Sequence, residues 1–506
     1  MSSDRSSLVS PQFTAAVREI TERSVFAGAR FGVAVCEAAG GRPIYQHNAH
    51  DIFQAASTTK IPTVAYALAL LGRDFRFHTR LVRQGTIDSA GTLQGDLILV
   101  ASGDPNLSGR VAPNDKLDFK DYDHSIGAPK ARAVERNPLQ VIEAFARGAR
   151  EAGIRRITGT VLVDVSLFPG DFRELGTLTT VSPIVINDNL IDIEVTAGER
   201  AGEALSYRIS PLSGYVRFID RATTGEKGSR QTLAFSSERR EADGTWSVVI
   251  TGTVPAGTTC LLGFGVESPS RFARTLLVEA LATAGIVVEG GLFGPSVTSN
   301  AVPANAEVVF EHVSPPLIEA TKVVLKVSQN LHAEVLMRVI GATLRGAKGV
   351  DAATAAYESG LELLKRWGVD TAGAVQSDAA GGIGYFSPDF MCRLLVRIAA
   401  SDIHEAFVYC LPIMGRDGTL RDIQTTSIAA GHVLAKTGTI SYDDPLNKAL
   451  FYSAKGLAGY ITTKSGRRTA FALYLNNYQR GPSSELDPNH PGQVLGAIAA
   501  AVYEHL

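Results

Sequence analysis

A serine and a lysine three residues apart are the first side chains in this sequence that could perform chemistry together. They are Ser57 and Lys60, in the run Ala56-Ser-Thr-Thr-Lys-Ile-Pro. On a helix, this spacing places the hydroxyl and the amine on one face, where a neutral lysine could take the proton of a serine nucleophile. Unpaired N–H groups at a helix start would also favour the negative charge that develops in acyl transfer. Taken alone, the pattern is better explained as a helix cap beside a solvated lysine.

A second motif, Ser328-Gln-Asn330, precedes an apolar helical run. The Ser328 hydroxyl could relay a proton, and the Asn330 amide could pair with a peptide-like ligand through both its oxygen and its nitrogen. The alternative is structural, because either residue could cap the helix while Glu334 assists the first turn.

A third motif, Lys436-Thr-Gly-Thr439, lies in the strand-like run 431–440. On an edge strand, Lys436 would supply a fixed positive charge, and the hydroxyls of Thr437 and Thr439 could hold a carboxylate. Gly438 would let the backbone of a ligand lie against the strand. An edge lysine that only discourages strand pairing explains the motif equally well when it is taken alone.

Two further runs imitate such motifs. Lys464-Ser-Gly466 fits the same loose pattern, but it lies between two strand-like runs and continues into two arginines, which is typical of an exposed hairpin turn. Tyr474-Leu-Asn476 lies within a strand-like run, and we interpret it as part of a sheet.

Other kinds of site find little support in the sequence. His47 and His50 form a His-x-x-His pair without the glutamate and helix of a zinc protease, and neither a Gly-x-Ser-x-Gly elbow nor a nucleotide-binding glycine loop occurs. We therefore expect no metal and no cofactor. Four scattered cysteines are expected to be small buried hydrophobic residues: Cys36, Cys260, Cys392 and Cys410.

Length and composition describe a folded globular protein of more than one domain. The chain has 506 residues, 45% of them hydrophobic and 20% charged. Its 49 basic and 51 acidic side chains leave a formal charge of −2, so a nucleic-acid partner is not expected. No apolar run reaches the roughly 18 residues that a transmembrane segment needs. The first residues lack an apolar signal core, so a secretory signal is expected to be absent or already removed.

The elements that must position the motifs come from both ends of the chain. Strands are predicted near the front and near the end, with helices between them, which together predict one α/β body. Between about 85 and 295, short β-type runs predict a mostly β insert with a smaller module nested near 197–241. The predicted strands are 30–37, 43–46, 431–440, 449–462 and 469–476, and the predicted helices are 57–71, 316–326, 331–344, 351–367 and 493–503.

In combination, the three motifs are more specific than any one of them. Their order, Ser-x-x-Lys, Ser-x-Asn and Lys-Thr-Gly, resembles that of β-lactamases and penicillin-binding proteins. The first two lie much farther apart than in a compact β-lactamase domain. Over nearly its whole length the chain resembles the low-molecular-mass class C penicillin-binding proteins, the D-alanyl-D-alanine carboxypeptidase/endopeptidase family. Further matching stretches are Gly103-Asp-Pro-Asn-Leu107, Asn187-Asp-Asn-Leu190, Leu331-His-Ala-Glu334 and Gly418-Thr-Leu420.

This resemblance implies an α/β (α+β) fold of three domains. A β-lactamase/transpeptidase-like catalytic domain, an antiparallel sheet flanked by helices, would comprise 1–85 and 300–506. A mostly β insert domain would comprise 86–192 and 262–299. A second mostly β insert domain, nested in the first, would comprise 193–261.

The resemblance also implies catalytic roles. Ser57 would be the nucleophile and Lys60 its base, partly neutral because burial and the nearby Lys436 disfavour a second positive charge. Ser328 would relay a proton to the leaving group, and Asn330 would anchor the substrate. The backbone N–H groups of Ser57 and Thr439 would form the oxyanion hole.

Substrate contacts follow from the same resemblance. Lys436, Thr437 and Thr439 would hold the terminal carboxylate, with Gly438 beside the substrate backbone. Asp164 resembles a segment that helps to recognise the amino end of the peptide stem, although an acidic residue after a strand is usually only solvated.

The implied activity is serine-type D-alanyl-D-alanine carboxypeptidase or endopeptidase action on peptidoglycan stem peptides. β-Lactam antibiotics would acylate the same serine, and the location would be periplasmic or otherwise extracytoplasmic. Two alternatives stay open at this point: a β-lactamase or esterase that uses the same motifs, and a catalytically silent peptidoglycan-binding protein.

The chain also departs from the family pattern. Relatives tend to have proline where this chain has Ala55 or Ala56, and an Asp-Gly-Ser-Gly-like loop where it has Asp378-Ala-Ala-Gly-Gly382. Since that loop lies near the site in relatives, the substrate preference and the rate are the properties most affected.

Overall fold

The chain folds into two compact units. The computed structural model describes residues 10–126, 130–168, 170, 172–174, 176–242, 245–292, 294–297, 302, 306–346, 350–481, 484 and 486–506. The first unit comprises the described residues up to Asp74, Leu317–Met337 and Ala356–Leu506, and the second comprises Phe75–Pro316 and Arg338–Ala355. All three sequence motifs belong to the first unit.

The first unit mixes helices and strands, and the predicted α/β fold class is confirmed. Two of its helices, α4 and α5, also contain residues of the second unit. In chain order its elements are α1 (Pro11–Thr21), β1 (Arg30–Glu37), β2 (Pro43–His47), β3 (Phe53–Gln54), α2 (Lys60–Leu71), α3 (Leu317–Lys326), α4 (Asn330–Arg345), α5 (Val350–Arg366), β4 (Ala374–Gln376), β5 (Gly384–Phe386), α6 (Pro388–Ala399), α7 (His404–Cys410), β6 (Val433–Asp444), β7 (Ala449–Thr462), β8 (Arg468–Arg480) and α8 (Pro491–His505).

The main sheet of this unit draws on both ends of the chain, as the sequence predicts. Its strand order is β2-β1-β8-β7-β6, and every neighbouring pair is antiparallel. Strand β6, which carries the Lys-Thr-Gly motif, is at the edge. A smaller sheet joins β4, β5 and β3.

The two faces of the main sheet are covered by different elements. Along β8, Phe471 and Leu473 are fully buried in a core that also contains residues of α1 and α8. Since successive side chains of a strand alternate between faces, Tyr474 points the other way. Its hydroxyl lies 3.3 Å from Thr58 Oγ1. This second face therefore carries the turn around Ser57.

The described residues of the second unit form several sheets and, besides its parts of α4 and α5, two helices longer than one turn. A six-stranded sheet contains Val287–Val288, Arg156–Ile157, Thr92–Val100, His78–Ile87, Glu307–Val313 and Val161–Asp164. One three-stranded sheet contains Ser206–Ser210, Leu190–Thr196 and Thr259–Gly265. Another contains Val216–Gly225, Trp246–Pro255 and Ala234–Arg240. A two-stranded ribbon pairs Val111–Ala112 with Lys116–Leu117. The helices are Gln140–Glu151 and Pro269–Thr283.

The observed division differs from the predicted boundaries. The strand His78–Ile87 pairs with Thr92–Val100 and Glu307–Val313, so residues on both sides of the insert fold with it. The first segment of the first unit ends at Asp74 and the unit resumes at Leu317, whereas the predicted catalytic domain ends its first segment at residue 85 and resumes at residue 300. The further separation of the insert into two domains stays a prediction.

Two further predictions, on the cysteines and on membrane-spanning helices, can be compared with the structure. All four cysteines are free thiols in buried positions, as predicted. Among the described residues, none of the helices combines the length and the apolar character needed to cross a bilayer.

Candidate active site

Ser57 lies on a tight turn that two glycines approach closely. The 3₁₀ turn Ala56–Thr59 leads directly into α2, and Ala56 has a left-handed backbone with φ of 48°. A Cβ atom added at Gly381 would lie 2.9 Å from Ser57 N, and one added at Gly438 would lie 3.1 Å from it. Only residues without a side chain allow both segments to approach the Ser57 amide in this way.

Lys60 joins Ser57 to Asn330. Its side chain is fully buried, and its Nζ atom donates to Ser57 Oγ at 2.9 Å, to Asn330 Oδ1 at 2.6 Å and to Ala380 O at 2.8 Å. Ser57 itself is half-buried. The hydroxyl can therefore be reached from solvent while the amine cannot.

Lys436 is bonded to the hydroxyl of Ser328, as Lys60 is to that of Ser57. Lys436 is fully buried on β6, and its Nζ donates to Ser328 Oγ at 2.9 Å and to Thr437 O at 2.8 Å. Ser328 has a φ of 65°, a strained conformation that is common at functional sites. Burial lowers the pKa of Lys436 well below its usual range, and the positive charges of Lys60 and Lys455 add to this shift.

The hydroxyls of the Lys-Thr-Gly-Thr motif have partners from neighbouring segments. Thr437 Oγ1 donates to Thr419 Oγ1 at 2.7 Å, and Lys455 Nζ donates to Thr439 Oγ1 at 2.7 Å. Thr439 is exposed and Thr437 is half-buried, so both can meet a ligand at the edge of the sheet. Thr419 and Lys455 are not among the site residues predicted from the sequence.

Side chains of Glu334, Thr63 and Asp378 hold the loop that follows β4 through hydrogen bonds. Ala379 N donates to Glu334 Oε1 at 2.9 Å, and Thr63 Oγ1 donates to Ala379 O at 2.9 Å. The carboxylate of Asp378 accepts from Ala380 N at 3.0 Å and also from Gly381 N. These bonds fix the carbonyl of Ala380 toward Lys60. Glu334, considered above only as a helix-cap residue, thus anchors this loop.

Asp164 lies in the second unit. It ends a strand of the second unit, is 4% exposed, and accepts from Ser166 N at 2.8 Å and from Val302 N at 3.2 Å. Its predicted role in recognising a peptide stem stays a prediction.

A second cluster of ionisable groups lies in the second unit. Among the described residues, Asp123, His124 and Asp188 are close enough to share a metal ion. However, Arg110 Nη2 donates to Asp123 and to Asp188 at 2.6 Å each, and the His124 ring nitrogens lie 2.8 Å from Asp188 and from Asp192. Arg110 and His124 already bond these carboxylates, so the cluster is better described as a buried ion-pair network.

This network predicts a pH-dependent contribution to stability. Burial alone would lower the pKa of His124, but Asp192 and Asp123 raise it well above its usual value. His124 therefore stabilises the fold fully below about pH 6.5, and this contribution is lost as the pH rises through the folded-state pKa. In urea unfolding, His124→Gln should lose about 3–5 kcal/mol at pH 6 and less at pH 9. A loss that grows with pH would contradict this, and exposed His50→Gln is the control.

Known proteins resemble this chain over most of its length. The model of the D-Ala-D-Ala carboxypeptidase 3 (S13) family matches residues 13–497. A D-alanyl-D-alanine carboxypeptidase from an Actinomadura strain is 28% identical over 96% of this chain and 83% of its own length. The crystal structure of penicillin binding protein 4 (dacB) from Haemophilus influenzae has a TM-score of 0.72 and 21% identity, with 96% of this chain and 99% of that chain covered. The same Haemophilus protein in complex with a β-lactam has a TM-score of 0.71 and 20% identity, with the same coverage.

The family match spans nearly the whole chain, which confirms the family and the peptidase activity expected from the order of the motifs. This chain belongs to the D-Ala-D-Ala carboxypeptidase 3 (S13) family and is a peptidase of the D-alanyl-D-alanine carboxypeptidase class.

Proposed function

We propose that Ser57 is the nucleophile of this carboxypeptidase and that the reaction passes through an ester on its Oγ atom. The contacts of Lys60 carry the proposal. Among the oxygens that accept from Nζ, Asn330 Oδ1 and Ala380 O have no proton to give, whereas Ser57 Oγ has one. A neutral Lys60 whose N–H groups donate to Asn330 Oδ1 and Ala380 O directs its nitrogen lone pair at the proton of Ser57 Oγ. Because a second buried lysine, Lys436, lies nearby, the cluster favours losing one positive charge.

In the acylation step, Ser57 Oγ attacks the carbonyl carbon of the penultimate D-Ala. Its proton passes to Lys60, and the negative charge on the carbonyl oxygen is stabilised by the backbone N–H groups of Ser57 and Thr439. The C–N bond then breaks, and the proton held by Lys60 passes through the Ser328 hydroxyl to the leaving nitrogen, while Lys436 holds that hydroxyl. Water hydrolyses the ester, which releases the shortened peptide and restores the serine.

The substrate is held along the edge of the main sheet. Thr437 and Thr439 bind the terminal carboxylate, Gly438 leaves room for the substrate backbone, and Asn330 pairs with a peptide group. The place of β6 at the edge of the sheet supports this assignment, because an extended peptide can add to an edge strand beyond Leu434, which pairs with Ile413. Asp164 is the proposed contact for the amino end of the stem.

The natural partners in this proposal are peptidoglycan peptides that end in D-Ala-D-Ala, which places the reaction outside the cytoplasmic membrane. β-Lactams acylate the same serine because their strained amide and carboxylate imitate this peptide end. The β-lactam complex of the similar Haemophilus protein supports this part of the proposal.

Mass spectrometry of the products from defined stem peptides tests the function. We expect a peptide that ends in D-Ala-D-Ala to lose one alanine, and its D-Ala-L-Ala analogue to stay intact. Cleavage of cross-linked dimers in the same assay would add endopeptidase activity. Rapid turnover of penicillin without peptide cleavage would instead indicate a β-lactamase, and binding to sacculi without any released alanine would indicate a silent binding protein.

A further inference from the structure

We infer that Lys455 determines specificity at this site, by supplying the positive charge that selects peptides and β-lactams with a free carboxylate. This inference rests on the proposed function, since it concerns the end of the substrate that Thr437 and Thr439 are proposed to hold. The cationic partner of the carboxylate would thus be on β7 and outside the Lys-Thr-Gly motif.

The position of Lys455 is fixed by strand pairing. Lys455 and Thr439 are direct partners across the antiparallel strands β7 and β6, and Lys455 Nζ donates to Thr439 Oγ1 at 2.7 Å. Partners in such a pair point to the same face of the sheet. The Lys455 side chain is only half-buried, so the ammonium group beside Thr439 can be reached by a ligand.

This bond also orients the hydroxyl of Thr439. A hydroxyl oxygen that accepts from an ammonium group keeps its own proton for another acceptor. A carboxylate oxygen that approaches the edge of β6 would therefore find the Thr439 O–H and the Lys455 N–H groups side by side. Charge-assisted bonds of this kind are about twice as strong as neutral ones.

The lysine inside the motif is less suited to this task. Lys436 is fully buried, and its Nζ is bonded to Ser328 Oγ and to Thr437 O. Burial is the main cause of its lowered pKa, and the charge of Lys455 contributes to the same shift. Lys436 therefore fits the proton relay through Ser328, and the reachable, fixed charge is that of Lys455.

The test compares a penicillin that has a free carboxylate with its methyl ester. The measured quantity is the second-order rate of acylation for each compound, and the ratio of the two rates reports the selection for charge. We expect Lys455→Gln to lower this ratio about tenfold to a hundredfold, mainly through the rate with the free acid. Lys455→Arg should keep most of the selection, because it keeps the charge.

Lys464→Gln is the matched control, since it removes one lysine charge from an exposed turn of the same unit. This variant should retain the wild-type ratio. An equal fall in both rates for Lys455→Gln would overturn the inference, because Lys455 would then act on Lys436 or on the fold and not on the carboxylate. An unchanged ratio would overturn it as well. Failure of the wild type to be acylated by either compound would overturn the proposed function and this inference with it.

Discussion

Replacing Ser57 with alanine should lower the release of D-Ala from a stem peptide by about 10⁴-fold or more. The substitution removes the oxygen that forms the ester and leaves the surrounding groups in place. Lys60 would keep its bonds to Asn330 Oδ1 and Ala380 O. The variant should therefore still bind the peptide, with a dissociation constant close to the Michaelis constant of the wild type if binding equilibrates before acylation.

Ser465→Ala is the control for this experiment. Ser465 lies in the Lys-Ser-Gly turn between β7 and β8, is exposed, and should be dispensable for activity. Residual D-Ala release by Ser57→Ala within tenfold of the wild type would show that another group is the nucleophile. Calorimetric titration of both variants with the peptide separates lost chemistry from lost binding.

Replacing Lys60 with glutamine should lower the acylation rate by about 10²–10⁴-fold, the range typical for loss of a general base. Glutamine is chosen because its amide has two N–H donors, which match the two acceptors Asn330 Oδ1 and Ala380 O. It cannot take the proton of Ser57. The rate of labelling by a fluorescent penicillin, measured at several pH values, reports this step.

The control is again Lys464→Gln, which makes the same change of charge at an exposed position. Thermal unfolding of both variants shows whether the buried substitution has damaged the fold. If Lys60→Gln melts like the wild type and is labelled within fivefold of its rate, Lys60 is not the base.

Much of the fold of the first unit could be predicted, because its strands and helices have regular patterns. The strand-like run 30–37 is β1 with the same limits, and the run 449–462 is β7. The predicted helix over 57–71 was only partly right, since Ser57 lies on a 3₁₀ turn and α2 begins at Lys60. Ser57 and Lys60 still face each other, because residues three apart also lie on one side of a 3₁₀ turn.

The second unit was predicted less completely. The helix Gln140–Glu151 was left out, although it buries Val141, Ile142 and Phe145 on one face. That spacing is typical of a helix, but the short strand-like runs around it favoured a β interpretation. The pairing of His78–Ile87 with a strand beyond residue 300 is a long-range contact, which local sequence patterns do not reveal.

The sequence motifs contain residues that lie together in the structure, but not all of the partners of these residues could be predicted. Ser57, Lys60 and Asn330 meet in one hydrogen-bonded group. Thr419 and Lys455 could not be identified as partners of the motif, since their contacts depend on tertiary pairing. The strands β6 and β7 have a register shift between Ile440 and Ser441, so counting from the hairpin turn does not identify Lys455 as the partner of Thr439.

The central claim is that Ser57 Oγ is the atom that becomes acylated. Wild-type protein would be incubated with penicillin, digested and analysed by mass spectrometry to locate the added mass. We expect the penicilloyl group on the peptide that contains Ser57, and on that serine. An adduct on any other residue, or a protein that gains no mass at all under saturating penicillin, would contradict the claim.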